Sequence, residues 1–346
     1  MRRQLNTLYV TTEGAWLHKD GENIVMDVEG ETKARIPVHM LESMVCFGRV
    51  LVSPPLLGFC AEKGICISFL SSYGKFLARV EGPVSGNVLL RREQYRRSEK
   101  IQEDLEIVRN VLKGKIFNQR AVLARAMRDH GAGFSTDGSD RLRYALLRLK
   151  RIGEQLFSID EIDILRGMEG EAAQLYFSVF DLLIRVDNSA FRFTNRSRRP
   201  PLDPVNALLS FIYTLLTHDC RSALETVGLD PAVGFLHRDR PGRPSLALDL
   251  MEEFRPVFAD RLVLSLLNRR QIIERDFRTM DNGAVILRDD ARKKVLIAYQ
   301  DRKREDIYHA FIDEKVPLGQ FPFVQAQLLA RHLRGDLDGY PPFLWK

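Results

Sequence analysis

The first quarter of the chain alternates short apolar runs with turn residues, which is the pattern of β-strands. β-Branched and aromatic residues dominate these runs, and turns such as Asp20-Gly21 separate them. A short helical pattern opens at Pro54 and closes at Gly64, after which the strand pattern resumes. These features predict a small, mainly antiparallel β-domain. The predicted strands are residues 5–11, 23–28, 33–38, 43–47, 65–70 and 76–80.

From about residue 88 onward, apolar residues recur at spacings of three and four, which is the period of amphipathic helices. The sequence therefore predicts an α+β chain of two domains, an N-terminal β-domain over 1–86 and a large, mainly α-helical catalytic domain over 87–346. The predicted helices are 88–97, 105–130, 142–157, 169–186, 204–227, 246–268 and 324–333, with one strand pair at 272–280 and 283–287.

The composition is that of a folded protein, with 45% hydrophobic and 28% charged residues in 346. A net charge of +6 favours a polyanionic partner without identifying it. The four cysteines form no C-x-x-C pair, which predicts buried free thiols in a reducing cytoplasm. The start is too polar for a signal peptide, and the longest apolar stretch, 207–216, is about half the length that spans a bilayer. We expect a cytoplasmic protein with no membrane partner.

The first segment that suits chemistry surrounds Glu169 and Glu171, where the helix 169–186 is predicted to begin. Carboxylates complement the positive N-terminus of a helix by about 0.3–1 kcal/mol each, an explanation that needs no ligand. However, Gly167 and Gly170 weaken a helix by up to about 1 kcal/mol each and leave room for a ligand to approach. Glu169 is therefore a candidate ligand.

The second segment is a cation-rich loop, 233–245, that contains His237. A single histidine more often supports structure than binds a ligand. The neighbouring Arg238, Arg240 and Arg243 suit the phosphates of a nucleic-acid backbone. This loop therefore predicts an anion-facing surface beside one imidazole.

The third segment places Asp249, Glu252 and Glu253 on one face of a predicted helix. Like charges on one face repel each other unless a cation lies between them, although a solvated face neutralised by Arg255 is the alternative. Pro256 cannot donate to the carbonyl of Glu252, so the helix should bend close to that carboxylate.

Together the segments offer a carboxylate from Glu169 or Glu171, the imidazole of His237, and a carboxylate from Asp249, Glu252 or Glu253. Oxygen-rich ligation with one nitrogen suits Mg²⁺ or Mn²⁺, and the lack of a nearby thiolate argues against structural zinc. The sequence thus predicts a metal-dependent enzyme that acts on the DNA backbone, with general-acid chemistry as the alternative role of His237.

Several long strings of the sequence are specific enough to carry a family resemblance. They are 5–10, 87–95, 166–173, 199–203 with Asn206-Ala207, 228–231 leading to His237, 248–252, and 333–338 through Lys346. In these strings the chain resembles the CRISPR-associated protein one family, the integrases and nucleases of CRISPR adaptation. The likeness is greatest to the variant found with subtype I-C systems, and it covers essentially the whole length.

The resemblance implies a β-domain that pairs two subunits and a helical domain whose metal ligands are Glu169, His237 and Glu252, with Asp249 in support. It also implies a homodimer that joins a small ferredoxin-like CRISPR-associated subunit in a heterohexameric integration complex on double-stranded and branched DNA. The function implied is spacer acquisition, in which Mg²⁺- or Mn²⁺-dependent cleavage and strand transfer insert short duplex DNA into the CRISPR repeat array.

Two other functions stay open on the sequence, a non-catalytic DNA-binding or scaffold subunit and a general metal-dependent DNA repair nuclease. Cationic runs are the candidate DNA contacts, and a solvated charged face is the alternative for each. The candidates are Arg91, Arg92, Arg96, Arg97, Arg192, Arg196, Arg198, Arg199, Arg238, Arg240, Arg243, Arg292, Lys293 and Lys294.

Overall fold

The computed structural model describes residues 7–41, 43–71, 76–80, 82, 88–103, 105–186 and 189–345. The chain divides into two units, residues 1–85 with 287–304 and residues 86–286 with 305–346. The predicted boundary between residues 86 and 87 lies outside the described residues, as do Leu5, Asn6 and Lys346. The division of the chain at that boundary therefore stays a prediction.

The first unit begins with strands separated by tight turns. Each predicted strand is present, and β2 and β6 are additional. The elements are β1 (Thr7–Val10), β2 (Trp16–Asp20), β3 (Asn23–Val28), β4 (Glu31–Pro37), β5 (Ser43–Phe47), β6 (Leu51–Val52), α1 (Pro54–Glu62), β7 (Cys66–Leu70) and β8 (Phe76–Val80).

The described strands of this unit form two four-stranded sheets, ordered β1-β5-β7-β8 and β4-β3-β2-β6. The prediction of mainly antiparallel pairing is wrong, because three of the described pairings are parallel and three are antiparallel. The hairpins β2-β3 and β3-β4 are antiparallel, as their tight turns predict. The pair β5-β7 is parallel because α1 carries the chain back across the sheet before β7 begins.

Both sheets and α1 contribute to one core. Leu17 and Ile24 come from one sheet, Met44 and Ile67 from the other, and Leu56 from α1, and all five are 0% exposed. In the predicted strands β3, β5 and β7 these residues belong to short apolar runs, which is why those strands could be predicted from local pattern.

The second unit is mainly helical, as predicted. Its elements and those that follow are α2 (Val88–Glu99), α3 (Glu106–His130), α4 (Thr136–Gln155), α5 (Ile162–Phe177), α6 (Pro204–Thr226), α7 (Ser245–Glu252), α8 (Arg261–Asn268), β9 (Phe277–Thr279), β10 (Val285–Leu287), α9 (Asp289–Arg304), β11 (Asp306–His309), β12 (Glu314–Pro317) and α10 (Phe321–Leu333). The hairpins β9-β10 and β11-β12 form two-stranded sheets. Helix α9, which belongs to the first unit, was not predicted from the sequence.

Helix α3 is central to the second unit and packs against α4, α5 and α7. The C-terminal segment, residues 340–345, lies against α3 through Asn118, a fully buried side chain. Nδ2 of Asn118 donates to the carbonyls of Glu253 (2.8 Å) and Phe343 (3.0 Å), and its Oδ1 accepts from the backbone N–H of Trp345 (2.8 Å). None of the described helices is both long and apolar enough to cross a bilayer.

Replacing Asn118 by Ala should therefore lower the free energy of unfolding by about 3 kcal/mol, because buried backbone groups would lose their partners. Urea denaturation followed by circular dichroism would measure the change. The control is Asn110→Ala in the same helix, where the side chain makes one long hydrogen bond of 3.4 Å to Glu106. Equal losses of stability in the two variants would contradict the prediction.

Candidate active site

Glu169 lies within helix α5, which begins at Ile162. The prediction that Glu169 stands at the start of its helix is wrong, because the helical pattern extends more than a turn upstream through the buried Leu165. The explanation of Glu169 as a partner of the helix N-terminus therefore does not apply. A Cβ added at Gly167 or Gly170 would meet no other atom within 4 Å, so this part of the helix faces open space.

Asp249 and Glu252 lie one turn apart on α7, and both are 1% exposed. The α-helix ends at Glu252, and a π-helical segment, Arg255–Asp260, follows before α8 begins. The interruption predicted near Pro256 is confirmed, since this proline cannot donate to the carbonyl of Glu252. The acidic face is thus buried, which excludes the alternative of a solvated surface neutralised by Arg255.

The carboxylate of Asp249 organises the loop that carries His237. It accepts hydrogen bonds from the backbone N–H groups of Phe235 (2.7 Å), Leu236 (2.9 Å) and His237 (3.0 Å), and Oδ1 lies 2.6 Å from Nδ1 of the His237 ring. Gly234 allows this approach, because a Cβ there would lie 2.9 Å from Oδ2 of Asp249 and 2.8 Å from Cβ of Ser245. Asp249 therefore orients the imidazole and leaves Nε2 directed away from it.

Lys115 of α3 joins the two candidate carboxylates. Its Nζ lies 2.8 Å from Oε2 of Glu252 and donates a hydrogen bond to Oε1 of Glu169. Nε2 of His237 lies 3.9 Å from Oε1 of Glu252, and Nη1 of Arg255 lies 3.1 Å from that oxygen. The three predicted ligands thus come together around Glu252, with Lys115 between the carboxylates.

The donor set suits a divalent ion. The buried Oε2 of Glu252 has the ammonium of Lys115 as its ion partner but accepts no hydrogen bond of normal geometry from the described residues. Two carboxylates and one imidazole nitrogen are ligands that Mg²⁺ or Mn²⁺ accepts. In the described part of the chain, no three His, Cys, Asp or Glu side chains are already gathered around one point as metal ligands. The residues therefore fit a divalent ion in kind, and an ammonium lies between two of them.

The neighbouring carboxyls Glu252 and Glu253 have opposite pKa shifts. Burial alone raises the pKa of Glu252, but the charges of Arg255 and Lys115 outweigh it and hold the pKa at about 2. Burial raises the pKa of Glu253 to about 8, against opposing hydrogen bonds from Tyr340 and other donors. Glu252 is consequently the ionised carboxylate of the pair at neutral pH.

Glu253 points away from the site into the interior. Its Oε2 accepts from the N–H of Phe343 (2.6 Å) and from Nε2 of Gln325 (3.0 Å), and its Oε1 accepts from the hydroxyl of Tyr340 (2.5 Å). Glu171, the glutamate two residues from Glu169, pairs with Arg148 instead. Both neighbours of the candidate ligands thus have structural partners.

Sequence reasoning missed Lys115. The signal was present, because Val111, Lys115 and Asn118 follow the three-and-four spacing of the apolar face of α3. A lysine in such a position is 3% exposed only when an anion accompanies it, so its place in the pattern indicates a buried acidic partner.

Four of the candidate DNA-contacting arginines interact electrostatically, and two of them, Arg240 and Arg243, belong to the loop that carries His237. Burial and then the charge of Arg240 lower the pKa of Arg243, and Arg199 and Arg198 add to the effect while Asp249 opposes it. We call Arg198, Arg199, Arg240 and Arg243 the arginine cluster. All but Arg243 are exposed. The positive charges of these four arginines repel one another, and a bound anion relieves that repulsion, so the cluster suits a phosphate backbone.

Other candidate cations have partners within the protein. Arg196 donates to the carbonyl of Ser197, to Oδ1 of Asn206 (2.6 Å) and to the hydroxyl of Ser210 (3.0 Å). Arg238 pairs with Asp163 at 2.8 Å. Arg96 and Arg97 pair with Glu93, and Arg97 also contacts His332. Arg292 pairs with Asp289. Of the remaining candidates, Arg91 is half-buried, and the exposed ones are Arg92, Arg192, Lys293 and Lys294. Their contact with DNA stays a prediction.

Comparison with known proteins gives a consistent result. The family profile described as CRISPR associated protein Cas1 matches residues 8–301. A curated relative, CRISPR-associated endonuclease Cas1 2 of Rhodospirillum rubrum, is 60% identical over 347 residues, with all of both chains covered.

Solved structures share the fold. The structure of TM1797, a CAS1 protein from Thermotoga maritima, is 26% identical with a TM-score of 0.79, covering 95% of this chain and 97% of that one. A casposase bound to integration product has a TM-score of 0.81 at 22% identity, covering 99% and 94%. A Cas6-RT-Cas1–Cas2 complex has a TM-score of 0.82 at 22% identity, covering 100% of this chain and 36% of that one. The last two likenesses show the fold alone.

Replacing Asp249 by Ala should release the loop 233–245, because three backbone N–H groups and the imidazole would lose one shared acceptor. We expect faster chymotrypsin cleavage after Phe235 or Leu236, which are buried in the parent, and a loss of about 2–4 kcal/mol in the free energy of unfolding. Cleavage sites would be identified by mass spectrometry. Asp239→Ala is the control, since Asp239 lies in the loop and accepts only a long bond of 3.3 Å from Gly234. A loop that stays as resistant as the control would contradict this role.

Proposed function

Because the chain belongs to the Cas1 family of CRISPR-associated proteins, we propose that it cleaves and joins DNA phosphodiester bonds at the site formed by Glu169, His237 and Glu252. It is an enzyme of the nuclease and integrase kind. The observation that carries the proposal is that the oriented imidazole of His237 approaches Glu252, while the buried ammonium of Lys115 links Glu252 to Glu169. The fold shared with a casposase bound to integration product supports strand transfer as the reaction.

A divalent ion, Mg²⁺ or Mn²⁺, would be held by Glu169, His237 and Glu252, and would supply Lewis-acid stabilisation of charge on the scissile phosphate. The side chains around these residues prepare them for that task. Asp249 receives Nδ1–H of His237 and so keeps the lone pair of Nε2 available on the side of Glu252. Glu252 is ionised at neutral pH because Arg255 and Lys115 accompany it.

The cations of the site also reduce the electrostatic repulsion between the DNA polyanion and three carboxylates of the site. Lys115 and Arg255 contribute two positive charges against the three negative charges of Glu169, Asp249 and Glu252. The attacking group would come from the DNA or from water, as the 3′-hydroxyl of a short duplex for joining or as water for cleavage. No protein nucleophile is required in this scheme.

We propose that DNA enters along the arginine cluster, because Arg240 and Arg243 belong to the loop that carries His237 and the charges of Arg198 and Arg199 act on Arg243. Phosphates are the anions that such a cluster binds, and bidentate guanidinium contacts would orient the backbone. Double-stranded and branched DNA are the proposed substrates, and the CRISPR repeat array is the proposed target.

We further propose a homodimer and a small ferredoxin-like partner subunit in a heterohexameric integration complex. A structural neighbour is named as a Cas1–Cas2 complex, which supports a partner of that kind. The subtype I-C assignment is likewise a proposal, supported by the strings that carry the family resemblance. A cytoplasmic location is proposed in keeping with the free thiols.

Glu169→Gln and His237→Ala should each reduce Mg²⁺- or Mn²⁺-dependent cleavage and joining by more than about 100-fold. Loss of a residue that only supports a metal ligand costs up to about 100-fold, and loss of a ligand itself should cost more. DNA affinity should change little. Gel assays of cleavage and integration with a labelled duplex, alongside filter binding, would measure both.

The matched control is Glu171→Gln, which removes a carboxylate two residues away that pairs with Arg148. Full activity of Glu169→Gln would contradict the enzyme proposal and favour a non-catalytic DNA-binding subunit. An equal response to repeat-end DNA and to unrelated duplexes would favour a general repair nuclease.

The arginine cluster makes a separate prediction about salt. Each phosphate contact contributes about −0.9 to the slope of log affinity against log salt. Replacing Arg240 and Arg243 together by Gln should therefore make the slope less steep by up to about 1.8. The control is Arg49→Gln with Arg304→Gln, two exposed arginines that pair with Glu13 and Asp301. A slope that changes equally in both double variants would contradict a specific role for the cluster.

A further inference from the structure

Lys115 is almost completely enclosed, yet its charged ammonium lies where the proposed ligands would hold a metal ion. The residue is 3% exposed and its side chain 4%, and its ammonium contacts Glu169 and Glu252, the two proposed carboxylate ligands. Glu169 is on the open side, with its side chain 27% exposed, whereas Glu252 is on the enclosed side, with its side chain 1% exposed. The ammonium therefore occupies the position between the ligands.

We propose that Lys115 is a built-in counterion that holds Glu169 and Glu252 together until a divalent ion displaces its ammonium, and that it thereby weakens metal binding by the resting enzyme. This inference rests on the proposed function, because it requires that the two carboxylates ligate a metal. It adds a positioning residue from α3 that sets metal affinity without being a ligand.

The charges explain why such a residue is needed. Two carboxylates brought together in a poorly solvated site repel each other unless a cation accompanies them. Arg255 contacts only Glu252 of the two, so it does not bridge them. The ammonium of Lys115 is the contact that links Glu252 to Glu169 among the described residues.

Lysine suits a displaceable counterion better than arginine does. Its charge is compact and sits at the end of a flexible four-carbon stem, whereas a guanidinium forms a fixed planar fork. The backbone around Lys115 is anchored one turn later by the buried Asn118, so only the side chain is free to move. The side chain of Glu169 is 27% exposed, so solvent reaches this side of the site. The ammonium can withdraw from Glu252 towards that open side, where a phosphate of the DNA would meet it.

The test measures Mn²⁺ binding by the full chain without DNA, from the electron paramagnetic resonance signal of free Mn²⁺, at fixed pH and ionic strength. Lys115→Met keeps the length of the side chain and removes its charge. We expect this variant to bind Mn²⁺ at least about tenfold more tightly than the parent, since one competing positive charge is gone. Without metal it should unfold at a lower temperature, and Mn²⁺ should raise that temperature more than in the parent.

Two further variants separate charge from structure. Lys115→Arg keeps the positive charge and should bind Mn²⁺ no more tightly than the parent, so tightened binding there would overturn the inference. Lys113→Met lies in the same helix, where the exposed Lys113 contacts the ring of Phe157, and should leave Mn²⁺ affinity unchanged.

A measurement on the unaltered chain does not depend on how well a variant folds. Acetylation of Lys115 by acetic anhydride, followed by mass spectrometry, should rise severalfold when Mg²⁺ is added, because the displaced ammonium reaches solvent. Protection that is the same with and without Mg²⁺ would overturn displacement.

The outcomes also distinguish this inference from the proposed function. Parent binding of Mn²⁺ that Glu169→Gln abolishes, together with unchanged or weaker binding by Lys115→Met, would overturn the role of Lys115 and leave the metal site standing. Parent binding that is absent, or indifferent to Glu169→Gln, would overturn the proposed metal site and this inference with it.

Discussion

A carboxylate enclosed by protein keeps its charge only when cations lie beside it, and Glu252 is the residue on which this requirement falls. Lys115 and Arg255 meet the requirement from α3 and from the π-helical segment after α7. The packing of α3 against α7 and against the π-helical segment is therefore also an electrostatic arrangement, and the ligand position exists only while those elements are in contact. The residue pattern of any single helix does not reveal this dependence, because Glu252 and its two cations belong to different elements.

The Asp249 carboxylate adds a second level of organisation. It holds a loop of irregular backbone by three successive N–H groups, which gives His237 a defined position although the residue belongs to no helix or strand. A loop that carries a functional residue is normally the most mobile part of a site. Here α7 carries both Glu252 and the acceptor Asp249, so one helix fixes the positions of the imidazole and of the Glu252 carboxylate.

Local signals were sufficient to predict much of the fold and the candidate site from the sequence. The short apolar runs around Ile24 and Met44, the helical period after residue 88 and the break at Pro256 depend on neighbours in the chain. The family strings then indicated Glu169, His237 and Glu252.

The interactions that local signals miss are those between distant residues. Lys115 meets Glu169 across 54 positions, and the parallel pairing of β5 with β7 depends on the path of α1. The start of α5 was placed too late because Gly167 weakens the helix signal between the apolar first turn and Glu169. Arg196 resembled its cationic neighbours in sequence, yet its guanidinium is engaged by Asn206 and Ser210.

The divergence of Glu252 and Glu253 has a consequence for how genetic data on this region should be interpreted. Glu252 faces Lys115 and the candidate metal site, whereas Glu253 holds the C-terminal segment through Tyr340 and Phe343. A truncating substitution at position 253 would remove the hydrogen bonds to Tyr340 and Phe343 and abolish activity by destabilising the structure that supports the site. The phenotype would be the same as for the loss of a ligand. Saturation mutagenesis would score both positions as intolerant, although only one of them faces the chemistry. Separate readouts for folding and for metal occupancy are what distinguish the two.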